Sequence, residues 1–148
     1  KLIKKGYSIA LFVGGAEEAK YCDFGNTNLI LKSRKGFLKL VIENNLTLVL
    51  VYTFGNNNIY TSYDYDFCNI FYYLKKLTGI WIPRGKINLK KSNFITVIGK
   101  EIFVEKKLNY DENDISKIQN NYLKNLNNLF NKYKYLDINI KDKFLIIN

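Results

Sequence analysis

Three short motifs hold the residues whose types and spacing could do chemistry: Gly14-Gly15-Ala16-Glu17-Glu18, Arg34-Lys35-Gly36 and Gly55-Asn56. The first follows the apolar run Ser8 to Val13, and the third follows Leu48 to Phe54. Arg34-Lys35 opens a stretch with helical spacing, so both cations stand where a helix start is already partly positive. A phosphate or a developing negative charge, held by backbone N–H groups and both side chains, would explain that placement. Each motif also has a quieter reading. Gly14-Gly15 suits a plain tight turn equally well. Glu18 suits a site carboxylate or a local ion pair with Lys20 or Arg34; Arg34 suits a surface cation and Gly55 an ordinary loop. The chain has no histidine and so lacks the commonest general base. Cys22 and Cys68 are far apart, with no metal-ligand spacing and no disulfide framework.

The motifs need elements to carry them. Ser8 to Val13 reads as a short strand covered on both faces, and Asn28 to Leu31 as another. From Lys35 to Glu43 the residues Phe37, Leu40 and Val41 recur at helical spacing, and Asn44-Asn45 make a stop. Leu48 to Phe54 is β-branched and aromatic and reads as a buried strand. Strand, helix, strand predicts a right-handed parallel crossover. Ligands of open parallel sheets collect beyond the carboxyl ends of the strands, so all three motifs are expected on one rim. Asp66 caps a second predicted helix that ends at Gly79, and Arg84-Gly85 makes a turn. Phe94 to Ile98 and Glu101 to Val104 read as short strands broken at Gly99. Asp111 caps a last long helix whose stripe is Ile115, Ile118, Tyr122, Leu126, Leu129 and Tyr133, and Phe144 to Ile147 is expected to tuck back onto the body. The fold class expected from these elements is α/β: a three-layer domain with a mixed, largely parallel sheet, incomplete at its N-terminal side. One sheet edge and some apolar surface are expected to be bare.

The 148 residues fit one domain, and 47% apolar content suffices for a core. No run reaches the roughly 18 apolar residues that cross a bilayer. The net charge of +10 comes almost wholly from scattered lysines, with Arg34 and Arg84 the only arginines. That scatter suits solvated faces, or a basic surface for anionic lipid or a phosphorylated cofactor. The chain lacks methionine and opens on KLIKKG, so a fragment of a longer protein is expected.

Taken in order, Gly14-Gly15-Ala16 with Glu18, Arg34-Lys35-Gly36-Phe37, Phe54-Gly55, Arg84-Gly85 and Ile95-Thr96-Val97-Ile98-Gly99-Lys100 resemble the C-terminal half of the type-2 diacylglycerol acyltransferase family. That family includes monoacylglycerol and wax-alcohol acyltransferases. This chain has Leu50 where the family usually carries proline, and Asn56 where it carries glutamate. The resemblance implies acyl transfer from acyl-CoA to a glycerolipid hydroxyl, making triacylglycerol from diacylglycerol at the cytosolic face of the endoplasmic reticulum membrane. It implies acyl-CoA as co-substrate with no separate cofactor or metal. The family's histidine, in an HPHG motif, lies upstream and would act as base. Residues 1–148 would then be the C-terminal part of a single acyltransferase domain, inactive alone. They would lend Gly14, Gly15, Glu18, Arg34, Lys35, Gly36, Gly55 and Asn56 to substrate or acyl-CoA binding. The implied partners are acyl-CoA, a glycerolipid acceptor and the membrane surface; no nucleic acid is expected, and oligomerisation stays open. The alternatives are a monoacylglycerol or other lipid-alcohol acceptor, or a non-catalytic basic module docking on anionic membrane or nucleic acid.

Overall fold

The computed structural model describes residues 2–15, 18, 24–61, 77–78, 86–87 and 93–148. The predicted helix after Asp66 (apart from the helical pair Leu77-Thr78), the turn at Arg84-Gly85 and both cysteines lie outside these residues.

A two-stranded ribbon packed on one long helix forms the centre. Strand β2 (Leu48–Phe54) alternates cleanly: Leu48, Leu50, Tyr52 and Phe54 face the core, while Val49, Val51 and Thr53 face out. The expectation of a buried strand therefore holds for one face only. β2 pairs antiparallel with β5 (Ile95–Ile102), setting Val51 opposite Ile98 and Thr53 opposite Thr96, whose hydroxyls lie 3.0 Å apart. β5 is continuous and not broken at Gly99. The register slips between Val49 and Val51, so β5 carries an extra residue there, and the glycine marks a bulge. A Cβ built on Gly99 would lie 3.2 Å from Leu50 Cβ, so the missing side chain is what lets Leu50 sit against the ribbon.

The long helix α2 (Glu112–Tyr133) begins at the predicted cap. Asp111 Oδ1 accepts from Asp114 N–H at 2.8 Å and Asp114 Oδ2 accepts from Asp111 N–H at 3.4 Å, a reciprocal capping box. Its buried face is Ile115, Gln119, Leu126, Leu129 and Phe130, of which Ile115, Leu126 and Leu129 meet Leu50, Ile102 and Val104 in the main core. A smaller cluster holds Phe54, Phe130 and Ile140, and Tyr52 packs beside Phe130 with ring centres 5.5 Å apart.

Helix α1 (Gly36–Asn44) stops at Asn45, which takes the left-handed conformation (φ 53°) and donates its N–H to Val41 O. It buries Leu38, Val41 and Ile42; of the predicted face Val41 is buried, Phe37 is half-buried against the core and Leu40 is exposed. Apolar residues fill most of this helix, so spacing alone could not choose the face. Packing on α2 chose it, with the Phe37 ring edge-on to Tyr122 at 5.3 Å.

Strand β1 (Asn28–Leu29) pairs in parallel with the terminal β6 (Ile146–Ile147), so the chain end does fold back. The remaining pair, β3 (Tyr60–Thr61) with β4 (Lys86–Ile87), is antiparallel. Two predictions need correction. Ser8 to Val13 forms no strand and residues 8–12 are exposed, because among the described residues no strand hydrogen-bonds to them. β1 is not the neighbour of β2, so the predicted parallel crossover is absent: the described strands form three separate pairs, one parallel and two antiparallel. The fold is a mixture of helices with small parallel and antiparallel sheets.

Candidate functional site

Residues 14, 18, 30 and 34 meet at one corner. The Glu18 carboxyl lies where a Cβ on Gly14 would be, so this glycine is required by close approach of a side chain and not by a turn of unusual φ. Glu18 Oε1 accepts a hydrogen bond from Ile30 N–H at 2.8 Å, tying the glycine bend to the segment that follows β1. Burial pushes the Glu18 carboxyl above its ordinary value, and the Ile30 bond and the positive charge of Arg34 oppose that rise. Tyr52 and Tyr122 stand near enough to feel the same carboxylate. Burial, with negative charge at Asp137 and Glu18, pushes the Tyr52 hydroxyl up to about 12, and burial and Glu18 raise that of Tyr122. The corner is thus a half-buried carboxyl near a guanidinium, and the charge of that carboxylate reaches two phenols that stay neutral. Such a group can hold a proton or accept one, and the cation beside it can meet an anion.

The other predicted site residues are placed differently. Lys35 caps α1 without a side-chain bond to the helix, and its ammonium lies 3.3 Å from Glu112 at the start of α2. An external anion is therefore not needed to explain that cation. Gly36 is exposed with open space around it, and Gly15 is exposed in a left-handed conformation (φ 66°). Gly55 is buried at φ 84°, where the chain turns out of β2 into a short 3-10 turn, Asn56–Ile59. Asn56 is exposed, while Asn57 donates to Asn26 O at 2.9 Å and Asn58 to Asp137 Oδ2 at 3.0 Å. That loop is fastened to the segment before β1 and to the buried Asp137. The predicted single rim of two parallel strands is replaced by a corner at Glu18 and Arg34, and Tyr52 feels the charges of both Glu18 and Asp137.

Four residues escaped the sequence reading of function: Ile30 through its amide, Tyr52 and Tyr122 through the charge of Glu18, and Gln119. An amide gives no sequence signal. Gln119, by contrast, is a polar residue one turn beyond Ile115 on an otherwise apolar stripe, which is a legible anomaly. Among the described residues no group of acidic, cysteine or histidine side chains could hold a metal ion, and no helix is long and apolar enough to cross a membrane.

A family model described as Diacylglycerol acyltransferase matches residues 1–148. The chain belongs to that family. Among relatives of this diacylglycerol acyltransferase family member, Diacylglycerol O-acyltransferase 2B of Umbelopsis ramanniana is 33% identical over 93% of this chain and 44% of its own length. Diacylglycerol O-acyltransferase 2 of Dictyostelium discoideum is 36% identical over 87% of the chain and 43% of its own length. 2-acylglycerol O-acyltransferase 1 of Mus musculus is 29% identical over 87% and 43%. The chain therefore spans less than half the length of these curated relatives. No solved structure matches it. The resemblance read from the ordered motifs is borne out.

Proposed function

We propose that the protein of which these residues are part is an acyl-CoA-dependent O-acyltransferase that makes triacylglycerol from diacylglycerol. The family match along the whole chain carries this reading. In the proposed reaction the acceptor hydroxyl attacks the thioester carbonyl, an ester C–O bond forms, the C–S bond breaks, and CoA departs as thiol with the hydroxyl proton. This chain contains no histidine, so the base is proposed to come from the part of the protein outside it. Arg34 and the open backbone at Gly15 and Gly36 are proposed to meet the phosphates of acyl-CoA, with Lys35 joining them by exchanging its exposed Glu112 partner for phosphate. Gly14 and Glu18 hold that edge in shape, and Gly55 and Asn56 border the acceptor. The whole domain is proposed to be three-layered and to work at the cytosolic face of the endoplasmic reticulum membrane, with no cofactor beyond its co-substrate.

A monoacylglycerol acceptor is the second reading, supported by relatives named 2-acylglycerol O-acyltransferase. The test is full-length protein in membranes given labelled acyl-CoA with either acceptor, the lipid products being separated and counted. Labelled triacylglycerol is expected, with Arg34→Ala raising the acyl-CoA concentration needed for half-maximal rate. Label only in diacylglycerol selects the second reading, and no labelled acylglycerol refutes both.

A further inference from the structure

Gln119 is buried in the middle of α2, 8% exposed, among apolar neighbours that a leucine or methionine would suit better. Both donors of its amide nitrogen are committed: Nε2 donates to Leu31 O at 3.1 Å and to Lys32 O at 2.9 Å. The opposite side of the same two residues is held as tightly, since the N–H groups of Leu31 and Lys32 both donate to Asn148 O, at 2.8 and 2.9 Å. One residue earlier, Ile30 N–H is held by Glu18 at 2.8 Å. Two residues later, Arg34 N–H closes onto Leu31 O at 3.0 Å. The strap from Ile30 to Arg34 is thus gripped from α2, from the terminal strand and from the glycine bend. Two of these grips are side chains, Glu18 and Gln119, and the one from α2 must bring two donors on one short arm to two adjacent carbonyls. The amide of glutamine supplies both. Methionine has the length without the donors, and asparagine has the donors without the length.

We infer that Gln119 is a positioning residue: by holding Leu31 and Lys32 it fixes the direction in which Arg34 is presented to the phosphate end of acyl-CoA. This rests on the acyl-CoA reading of Arg34 given above. Gln119 itself touches no substrate.

The test is a double-mutant cycle on full-length protein, with calorimetric affinity for free coenzyme A as the readout and Gln119→Met, Arg34→Ala and their combination as variants. Gln119→Met and Arg34→Ala are each expected to weaken binding about tenfold, the scale of one hydrogen bond to a charged group. The double variant is expected to bind no worse than Arg34→Ala alone, because a misdirected arginine and an absent one cost the same contact. Gln119→His keeps one donor at similar reach and is expected to fall between wild type and methionine, which serves if the methionine variant does not fold. Unchanged affinity in the folded Gln119 variants overturns the inference, as does a Gln119 effect that multiplies with that of Arg34→Ala. Wild-type protein that binds no coenzyme A overturns it too. Wild-type protein that binds coenzyme A yet forms no labelled acylglycerol refutes the acyltransferase reading alone, and the cycle still decides the role of Gln119.

Discussion

Replacing Gly14 with alanine tests the corner most sharply, because the backbone there has no positive φ and any cost must come from its neighbour. A methyl group on Gly14 would take the place of the Glu18 carboxyl. That carboxyl ends a flexible side chain and can swing away, but it then surrenders the Ile30 N–H bond of 2.8 Å and its place beside Arg34. Losing a hydrogen bond to a charged group costs about 1.5–3 kcal/mol. Against this, glycine to alanine at a compatible position stabilises by about 0.4–1 kcal/mol through the unfolded chain. The net expectation is a loss of about 0.5–2.5 kcal/mol. In a Glu18→Ala background the obstruction is gone, so the same Gly14→Ala change should be neutral or stabilising by about 0.4–1 kcal/mol. Urea unfolding of the four proteins gives both values, provided the slope against denaturant is constant. Equal costs of Gly14→Ala in the two backgrounds would refute the contact between Gly14 and Glu18 as the reason for this glycine.

Three further outcomes follow from the same geometry. Tyr52 has its hydroxyl raised from 10.0 to about 12, so its contribution to stability is complete below pH 10 and is lost as pH rises through about 12. This is on the order of 2–3 kcal/mol; Tyr52→Phe should flatten the alkaline limb of thermal stability between pH 10 and 12, and an unchanged limb counts against burial of this phenol. Glu18, raised above 4.5, contributes stability that is complete below pH 4.5 and is lost as pH climbs through its folded value; Glu18→Gln should remove that slope in melting curves taken across the acid range, and an identical slope would assign it to other groups. Gly99→Val places a branched side chain where a Cβ already meets Leu50 Cβ at 3.2 Å, which should cost about 1–3 kcal/mol by overpacking; a wild-type unfolding midpoint would show that the bulge yields freely.

Much of the local structure was written in residue order. Asp111 stands before an apolar stripe and caps the long helix as read, with Asp114 completing a capping box that the sequence reading does not name. Asn45 ends α1 because asparagine tolerates the left-handed conformation, and β2 runs over the predicted residues because a β-branched and aromatic run favours a half-buried pleat. Family membership was equally legible, since it rests on motif order, which folding does not alter. Partners across the chain were not legible. Nothing near Asn28 announces that Ile146 will pair with it, and nothing in Gly99 distinguishes a break from a bulge until Leu50 is seen beneath it.

The sequence by itself determined where helices start and stop, which residues carry charge and which family the chain joins, because these depend on neighbours within a few positions or on motif order. Only the tertiary structure decided that Glu18 rests on Gly14 beside Arg34, that Lys35 turns to Glu112 and that Gln119 holds Leu31 and Lys32. The last two pairings join residues far apart in the chain, and they are fixed by which apolar faces bury together, a choice that no single segment contains.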